Sequence, residues 1–217
     1  MKKSFYELCK DAGTDKVMHH GYHFFYPSFL EKLRNEKFTM LEIGYGSGES
    51  AKMWCEYFPY TNFFCIDIDT EAVHNDRCRI IKADQSKKED LQKITGKIGS
   101  AKLIIDDGSH NPRHQFDTFM YLFENLLEEG GIYIIEDIET NYWKPNAGLY
   151  GRFVGDFNLM KSISSFPDMI NHEFSKIQNT LKISTVTYGQ NCIIITKRTE
   201  EEQLYFDRKY RFEIFTS

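Results

Sequence analysis

Five short apolar runs, each ending in acids or glycines, constrain this chain most. They are FTMLEIGY (38–45), NFFCIDID (62–69), RIIKAD (79–84), KLIIDD (102–107) and GIYIIED (131–137), and longer amphipathic segments separate them. Near-continuous Ile, Leu and Phe runs alternating with helices predict an α/β fold, a mostly parallel sheet covered on both faces. Ligands of such sheets bind beyond the carboxyl ends of the strands. That edge receives Glu42 and Gly44, Asp67, Asp84, Asp106 and Asp107, and Glu136 and Asp137. Helices are expected over 49–57 and over 86–95, the latter with Ser86 as cap and Glu89 at capping-box spacing. A third is expected over 114–129, where apolar residues recur with helical period and Gly130-Gly131 form the stop. A loop with a further helix leads toward 175, and 181–198 reads as a hairpin turning at Gly189.

The chain has 217 residues, which fits one domain with a sizeable core. A formal net charge of −5 gives no electrostatic reason to expect nucleic acid or an anionic membrane as partner. The five cysteines are scattered, with no zinc spacing, as in a reducing compartment. MKKSFYELCKDAGTDK lacks the apolar stretch of a signal peptide, and no run is long enough to span a bilayer. The expectation is a cytoplasmic protein.

LEIGYGSGES places Glu42, Gly44, Gly46 and Gly48 directly after a strand. Glycines there let the backbone turn tightly and approach a ligand. The pattern is G-x-G-x-G and not the G-x-G-x-x-G of dinucleotide folds, and an acid stands two residues before the first glycine. That carboxylate would repel a pyrophosphate, yet it suits a ligand bearing sulfonium and ammonium groups. Asp67, some twenty residues on, is placed to accept ribose hydroxyls, and Asp84 to meet an adenine amino group.

Asp107, Glu136 and Asp137 end adjacent strands, which lie about 4.8 Å apart in a sheet. Three like charges so close repel unless a cation neutralises them. Carboxylate oxygens suit Mg²⁺, Mn²⁺ or Ca²⁺. His110, a turn beyond Asp107, is then placed as general base for a hydroxyl. Two plainer readings stand beside this one. Asp107 caps the helix that begins near Asn111-Pro112, or His110 and His114 bind zinc. His114 otherwise holds the helix to the loop.

The glycine loop with Asp67 and Asp84 resembles the class I S-adenosylmethionine-dependent methyltransferases. That resemblance implies a doubly wound, Rossmann-like sheet of seven strands, the last antiparallel and drawn from a terminal hairpin such as 181–198. The run DDGSHNPRHQFDTFMYLFENLLEEGGIYIIEDIETNYW resembles, more narrowly, the metal-dependent sugar O-methyltransferases of the mycinamicin and macrocin type and the related rhamnosyl O-methyltransferases. It carries their D-G-S-H, H-Q, leucine-rich helix, Gly-Gly and I-E-D landmarks in order. The resemblance implies that Asp107, Glu136 and Asp137 hold Mg²⁺ or Mn²⁺, with His110 as catalytic base beside Asp107. It also implies that Tyr142 and Trp143 border a sugar pocket, and that Asp84, Gln85 and Ser86 of the ADQS segment join the cofactor site. The implied reaction is methylation of a hydroxyl of a sugar or glycoside.

The domain is expected over 38–198. Before it, 1–37 carries His19, His20, Tyr22, His23 and an aromatic stripe. It reads either as a lid, with His20 and Tyr22 over the substrate, or as an amphipathic helix packing Phe24, Phe25, Tyr26 and Phe29 on the sheet. The macrolide enzymes carry a longer N-terminal region, so a smaller sugar is equally allowed. The aromatic tail 199–217 packs on its own domain or on a second copy, favouring a homo-oligomer. Competing functions are a catechol-type O-methyltransferase, a non-catalytic cofactor-binding module and a nicotinamide-dependent dehydrogenase. The loop pattern and Glu42 oppose the last.

Overall fold

The computed structural model describes residues 2–69, 77–143 and 156–207. The N-terminal segment forms α1 (Phe5–Ala12), α2 (Asp15–Met18) and α3 (Tyr26–Leu30), with short 3-10 turns between and after them. Then come β1 (Thr39–Ile43), α4 (Glu49–Tyr57), β2 (Asn62–Asp67), β3 (Cys78–Lys82), α5 (Lys88–Ile98), β4 (Ala101–Asp106), α6 (Pro112–Asn125) and β5 (Leu127–Glu136). Three short helices between 159 and 175 precede the hairpin of β6 (Ile183–Gly189) and β7 (Cys192–Lys197). All seven strands form one sheet, in the order β3-β2-β1-β4-β5-β7-β6. The first five are parallel, and β7 runs antiparallel to both β5 and β6. This is the expected doubly wound seven-stranded α/β sheet with its C-terminal hairpin. Strand order reverses between β1 and β4, which opens a crevice at their carboxyl ends.

Successive strand residues point to opposite faces. Met40, Leu103, Ile105, Ile132 and Ile134 pack with Phe5, Tyr22, Tyr26 and Trp54, from the N-terminal segment and α4. Leu41, Ile43, Ile104, Tyr133 and Ile135 pack with Leu91, Phe119 and Phe123, from α5 and α6. Each such side chain contributes roughly 1.5–3 kcal/mol when fully buried. The same alternation aims the polar ends. Glu42 and Glu136 stay in step with Met40 and Ile134 and face the N-terminal segment. Asp106 stays in step with Ile104 and faces α6.

Three local expectations change. The helix expected from Ser86 begins at Lys88, and its first turn has no side-chain cap. The Ser86 hydroxyl and amide are taken by Asp84 Oδ1, at 2.6 and 2.9 Å. The helix expected through Glu129 ends at Asn125, because Leu127 already pairs with Ala101 in the sheet. Lys197 Nζ binds the carbonyls of Phe123 and Leu127 there, each at 2.7 Å. Gly130-Gly131 therefore lie within β5, Gly130 in the left-handed region, and do not stop a helix. In the N-terminal segment Tyr22 and Tyr26 are fully buried, whereas Phe24 is 81% exposed and does not join the core.

The helix Glu200–Asp207 leaves Leu204 and Tyr205 exposed. Of the aromatic tail, 208–217 lies outside the described residues, as does 144–155 of the loop after β5. No helix among the described residues is long and apolar enough to cross a membrane.

Candidate active site

The loop after β1 builds the first half of the site. Gly44 has φ +92°, and a Cβ on it would overlap the backbone carbonyl of Asp107. Only glycine allows the β1 and β4 ends to approach so closely. Gly46 and Gly48 also take positive φ, and Gly48 opens α4. Asp67 Oδ2 accepts from the Tyr45 and Gly46 amides at 2.8 and 3.1 Å, and Oδ1 from the Asp69 amide at 3.0 Å. Burial pushes the Asp67 carboxyl up, but the amides of Asp69, Tyr45 and Gly46 outweigh it and hold the pKa below the ordinary value.

A cavity of about 520 Å³ opens beside this loop. Gly44, Asp67, Asp84, Gln85, Ser86 and His114 are among the residues lining it. Gln85 works from within the wall. Its Nε2 donates to both oxygens of buried Asp106 (3.1 and 3.2 Å), and its Oε1 accepts from the Ser109 amide at 2.6 Å. Ser109 Oγ in turn lies 3.1 Å from His114 Nδ1, so His114 ties helix to loop. Asn111, not Asp107, caps α6, accepting from the Arg113 and His114 amides. Glu42 lines neither this cavity nor a second one of about 360 Å³ across the loop. Its carboxylate lies beneath the loop, bound by Trp54 Nε1 and Ser50 Oγ at 3.0 Å each. Burial pushes its pKa up to about 7.

The second half is a knot of charge at the ends of β4 and β5. Among the described residues, Asp107, His110 and Asp137 bring ligand atoms within 4.8 Å of one another. His110 Nε2 lies 3.7 Å from Asp137 Oδ2. Both residues hold left-handed backbone, with φ 52° and 53°, a conformation that is strained without glycine. Asp137 Oδ1 accepts from Tyr22 Oη (3.2 Å) and Asn191 Nδ2 (3.0 Å), and His20 Nε2 is 3.4 Å away. Burial, then the Asp107 charge, pushes the Asp137 carboxyl above its ordinary value against the pull of His110 and His20.

Glu136 is turned away from this group. Its Oε2 meets Lys16 Nζ at 2.5 Å and its Oε1 the Tyr26 hydroxyl at 2.6 Å. Lys16 also meets Asp107 Oδ2 at 2.7 Å and lies 3.8 Å from Glu42. The expected lid thus contributes differently. Tyr22 is fully buried and orients Asp137 where a substrate contact was expected, and His20 stacks on Tyr22 and binds Asn191. Tyr142 is 72% exposed and Trp143 beside it is half-buried, and neither lines the two cavities. Sequence reasoning missed Lys16, Tyr26, Asn191 and the Gln85–Asp106 strut. The signal for Lys16 was present. Gly13 ends α1 in a left-handed turn and Thr14 caps α2, which aims Lys16 at the face where alternation puts Glu42 and Glu136.

No family model matches the chain. It is 36% identical over 162 residues to mycinamicin VI 2''-O-methyltransferase of Micromonospora griseorubida, covering 70% of this chain and 40% of that protein. It is 34% identical over 146 residues to the 8-demethyl-8-alpha-L-rhamnosyl tetracenomycin-C 2'-O-methyltransferase of Streptomyces olivaceus, covering 64% of this chain and 38% of that one. The chain thus spans about two fifths of the length of these curated relatives. Its fold superposes on MycE, solved with Mg, SAH and mycinamycin VI, with a TM-score of 0.81 and 29% identity, over 93% of this chain and 55% of that chain.

Proposed function

The chain is a homologue of the sugar O-methyltransferases of the mycinamicin, macrocin and tetracenomycin type, and from that premise we propose that it transfers a methyl group from S-adenosylmethionine to a hydroxyl of a sugar or glycoside. The observation that carries this reading is the juxtaposition of a nucleoside-sized cavity with the Asp107–His110–Asp137 group across Gly44. In this reading the adenosyl part lies along the cavity, with its ribose toward Asp67 and its adenine toward Asp84, Gln85 and Ser86. The amides of Tyr45 and Gly46 preset the Asp67 carboxylate, which keeps lone pairs for ribose hydroxyls.

The donor set fits a hard divalent ion. Asp107 and Asp137 offer carboxylate oxygens within 4.8 Å of each other and of His110. One or two carboxylates plus substrate oxygens is the habit of Mg²⁺ sites. Such an ion would act as a Lewis acid, lowering the proton affinity of an acceptor hydroxyl. His110 Nε2 takes that proton, and Asp137 steadies the imidazolium. The hydroxyl oxygen bonds to the methyl carbon as the carbon–sulfur bond breaks, leaving S-adenosylhomocysteine and a methyl ether. Alignment within the crevice supplies most of the acceleration. Tyr142 and Trp143, which follow β5 by a few residues, border the acceptor in this reading. Exposed Leu204 and Tyr205 support packing of the tail on a second copy.

Thermal shift with S-adenosylhomocysteine and with NAD, followed by labelled methyl transfer to vicinal-diol glycosides with Mg²⁺, tests the reading. Stabilisation by S-adenosylhomocysteine and a metal-dependent methyl ether are expected. Preferential stabilisation by NAD would defeat it.

A further inference from the structure

Gln85 lines the larger cavity, yet both ends of its side-chain amide are engaged inside the protein. Gln85 is buried, as are Asp106 and Thr118 behind it. The Ser109 amide can only donate, so it needs the oxygen end of the Gln85 side chain. It donates to Oε1 at 2.6 Å. That leaves Nε2 for Asp106, whose two oxygens accept it at 3.1 and 3.2 Å. Thr118 braces the residue from α6, its hydroxyl donating to the Gln85 carbonyl at 3.2 Å. Gly108 makes the approach possible, since a Cβ there would overlap Gln85 Oε1. The residue after Ser109 is His110, whose φ of 52° persists only where its surroundings fix it. Gln85 fixes Ser109 on one side. On the other, the Asn111 amide donates to Ser109 Oγ at 3.3 Å, and Asn111 is anchored as the cap of α6.

We propose that Gln85, oriented by Asp106, is a positioning residue for the reaction: it holds Ser109 and so aims His110, and its amide acts through that loop and not as a hydrogen-bond ligand of the cofactor. Gln85 belongs to the cavity wall by its place in the chain, while its polar atoms serve the neighbouring loop. The loop after β3 and the loop after β4 are thereby braced as one unit. Asp106 acts at one further remove, by deciding which end of the Gln85 amide faces Ser109. The inference rests on the methyl-transfer reading above, in which His110 takes the proton.

The test exchanges donor and acceptor, in Asp106→Asn, Gln85→Glu and the double variant. Asp106→Asn replaces one acceptor beside Gln85 Nε2 by a donor, and Gln85→Glu sets two carboxyl groups against each other. Each single change should lower kcat for methyl transfer to methyl α-L-rhamnoside, a simple vicinal-diol glycoside, by roughly 10²-fold, the cost of a misplaced reacting group. The Kd for S-adenosylhomocysteine should move by less than about threefold. NMR signals of the Ser109 amide and the His110 ring, followed in the S-adenosylhomocysteine complex, should shift in both. In the double variant the new asparagine donates to the new glutamate, whose other oxygen accepts from Ser109. There kcat and both signals should return to near wild type. A double variant as impaired as the worse single one would sink the pairing. Single variants that raise the Kd by about tenfold with kcat unchanged would make Gln85 a cofactor ligand and overturn the proposal. So would variants that lose melting temperature alone, with kcat and both signals unmoved. If Asp106→Asn does not fold, Gln85→Glu against the double variant decides. A wild type that transfers no methyl group would refute the methyl-transfer reading itself, and the Ser109 and His110 signals would still decide whether Gln85 sets the loop.

Discussion

Asp67 at the end of β2 and Asp137 just past the end of β5 stand on the same sheet edge, yet their surroundings drive them in opposite directions. Asp67 accepts three backbone amides and is held more acidic than an ordinary aspartate. Asp137 is buried beside Asp107 and is held less acidic. The β1–β3 half fixes Asp67 with backbone amides and Asp84 with Ser86 and Lys87, and leaves both open to a cavity. The β4–β5 half packs Asp107, Glu136 and Asp137 close together, with Lys16, His20 and His110 among them. An acid fixed by amides is ready to accept hydroxyls or amines, whereas acids crowded together are ready for a cation. One edge thus offers two kinds of recognition, separated only by the glycine at 44.

The largest expected effect would separate the halves cleanly. His110→Ala should lower methyl transfer by roughly 10²–10⁴-fold, the usual worth of a general base, with S-adenosylhomocysteine affinity unchanged. Equal loss of cofactor affinity, measured by calorimetry, would mean the halves are not independent. Asp67→Ala is the converse. It should weaken cofactor binding by about 10–100-fold, the scale of losing a charged hydrogen-bond acceptor, and leave Mn²⁺ binding alone. Unaltered affinity would refute the ribose assignment.

A third prediction sharpens the contrast through pH. Burial raises Asp106 to about 7, so its folded-state pKa lies above its unfolded one. The folded state then holds the proton longer. Stability from this group is fully present below about pH 4 and is lost as pH rises through about 7, by on the order of 4 kcal/mol. Asp106→Asn should flatten melting temperature against pH across that window, and an unchanged slope would remove Asp106 as the cause. Asp67 works with the opposite sign. Its stabilisation is present above the ordinary carboxylate range and fades as acid is added. The smallest effect belongs to Tyr142→Ala, which should raise the acceptor KM by about threefold, the loss of one exposed aromatic contact, with melting unchanged.

Most of the fold was legible because parallel strands announce themselves by uninterrupted apolar runs, and each run ended where the sheet does. The residues that line the larger cavity were legible for a related reason. Their chemistry sits within a few residues of glycines and of strand ends. The acidic rim was only half legible. Asp107, His110 and Asp137 were singled out, but the cation that alternation demands for Glu136 comes from Lys16, far away in sequence. Ser86 misled because a nearer local partner took its hydroxyl, and Gly130-Gly131 because sheet pairing began before them. Asp84 had taken the serine, and pairing of Leu127 with β4 had already begun the strand.

The Lys16 contacts also set an order of events. Lys16 precedes Asp107 by 91 residues and Glu136 by 120, and Asp137 further relies on Asn191 in the hairpin turn. A chain leaving the ribosome makes its lysine long before the acids that will hold it. Until β4 and β5 are in place, that ammonium stays in water, and the N-terminal segment has an aromatic face with no complete sheet to cover. Contacts of such long reach form late. The charge enclosed at the acidic rim is therefore synthesised well before the acids that enclose it, and closing the rim joins segments 91 and 120 residues apart.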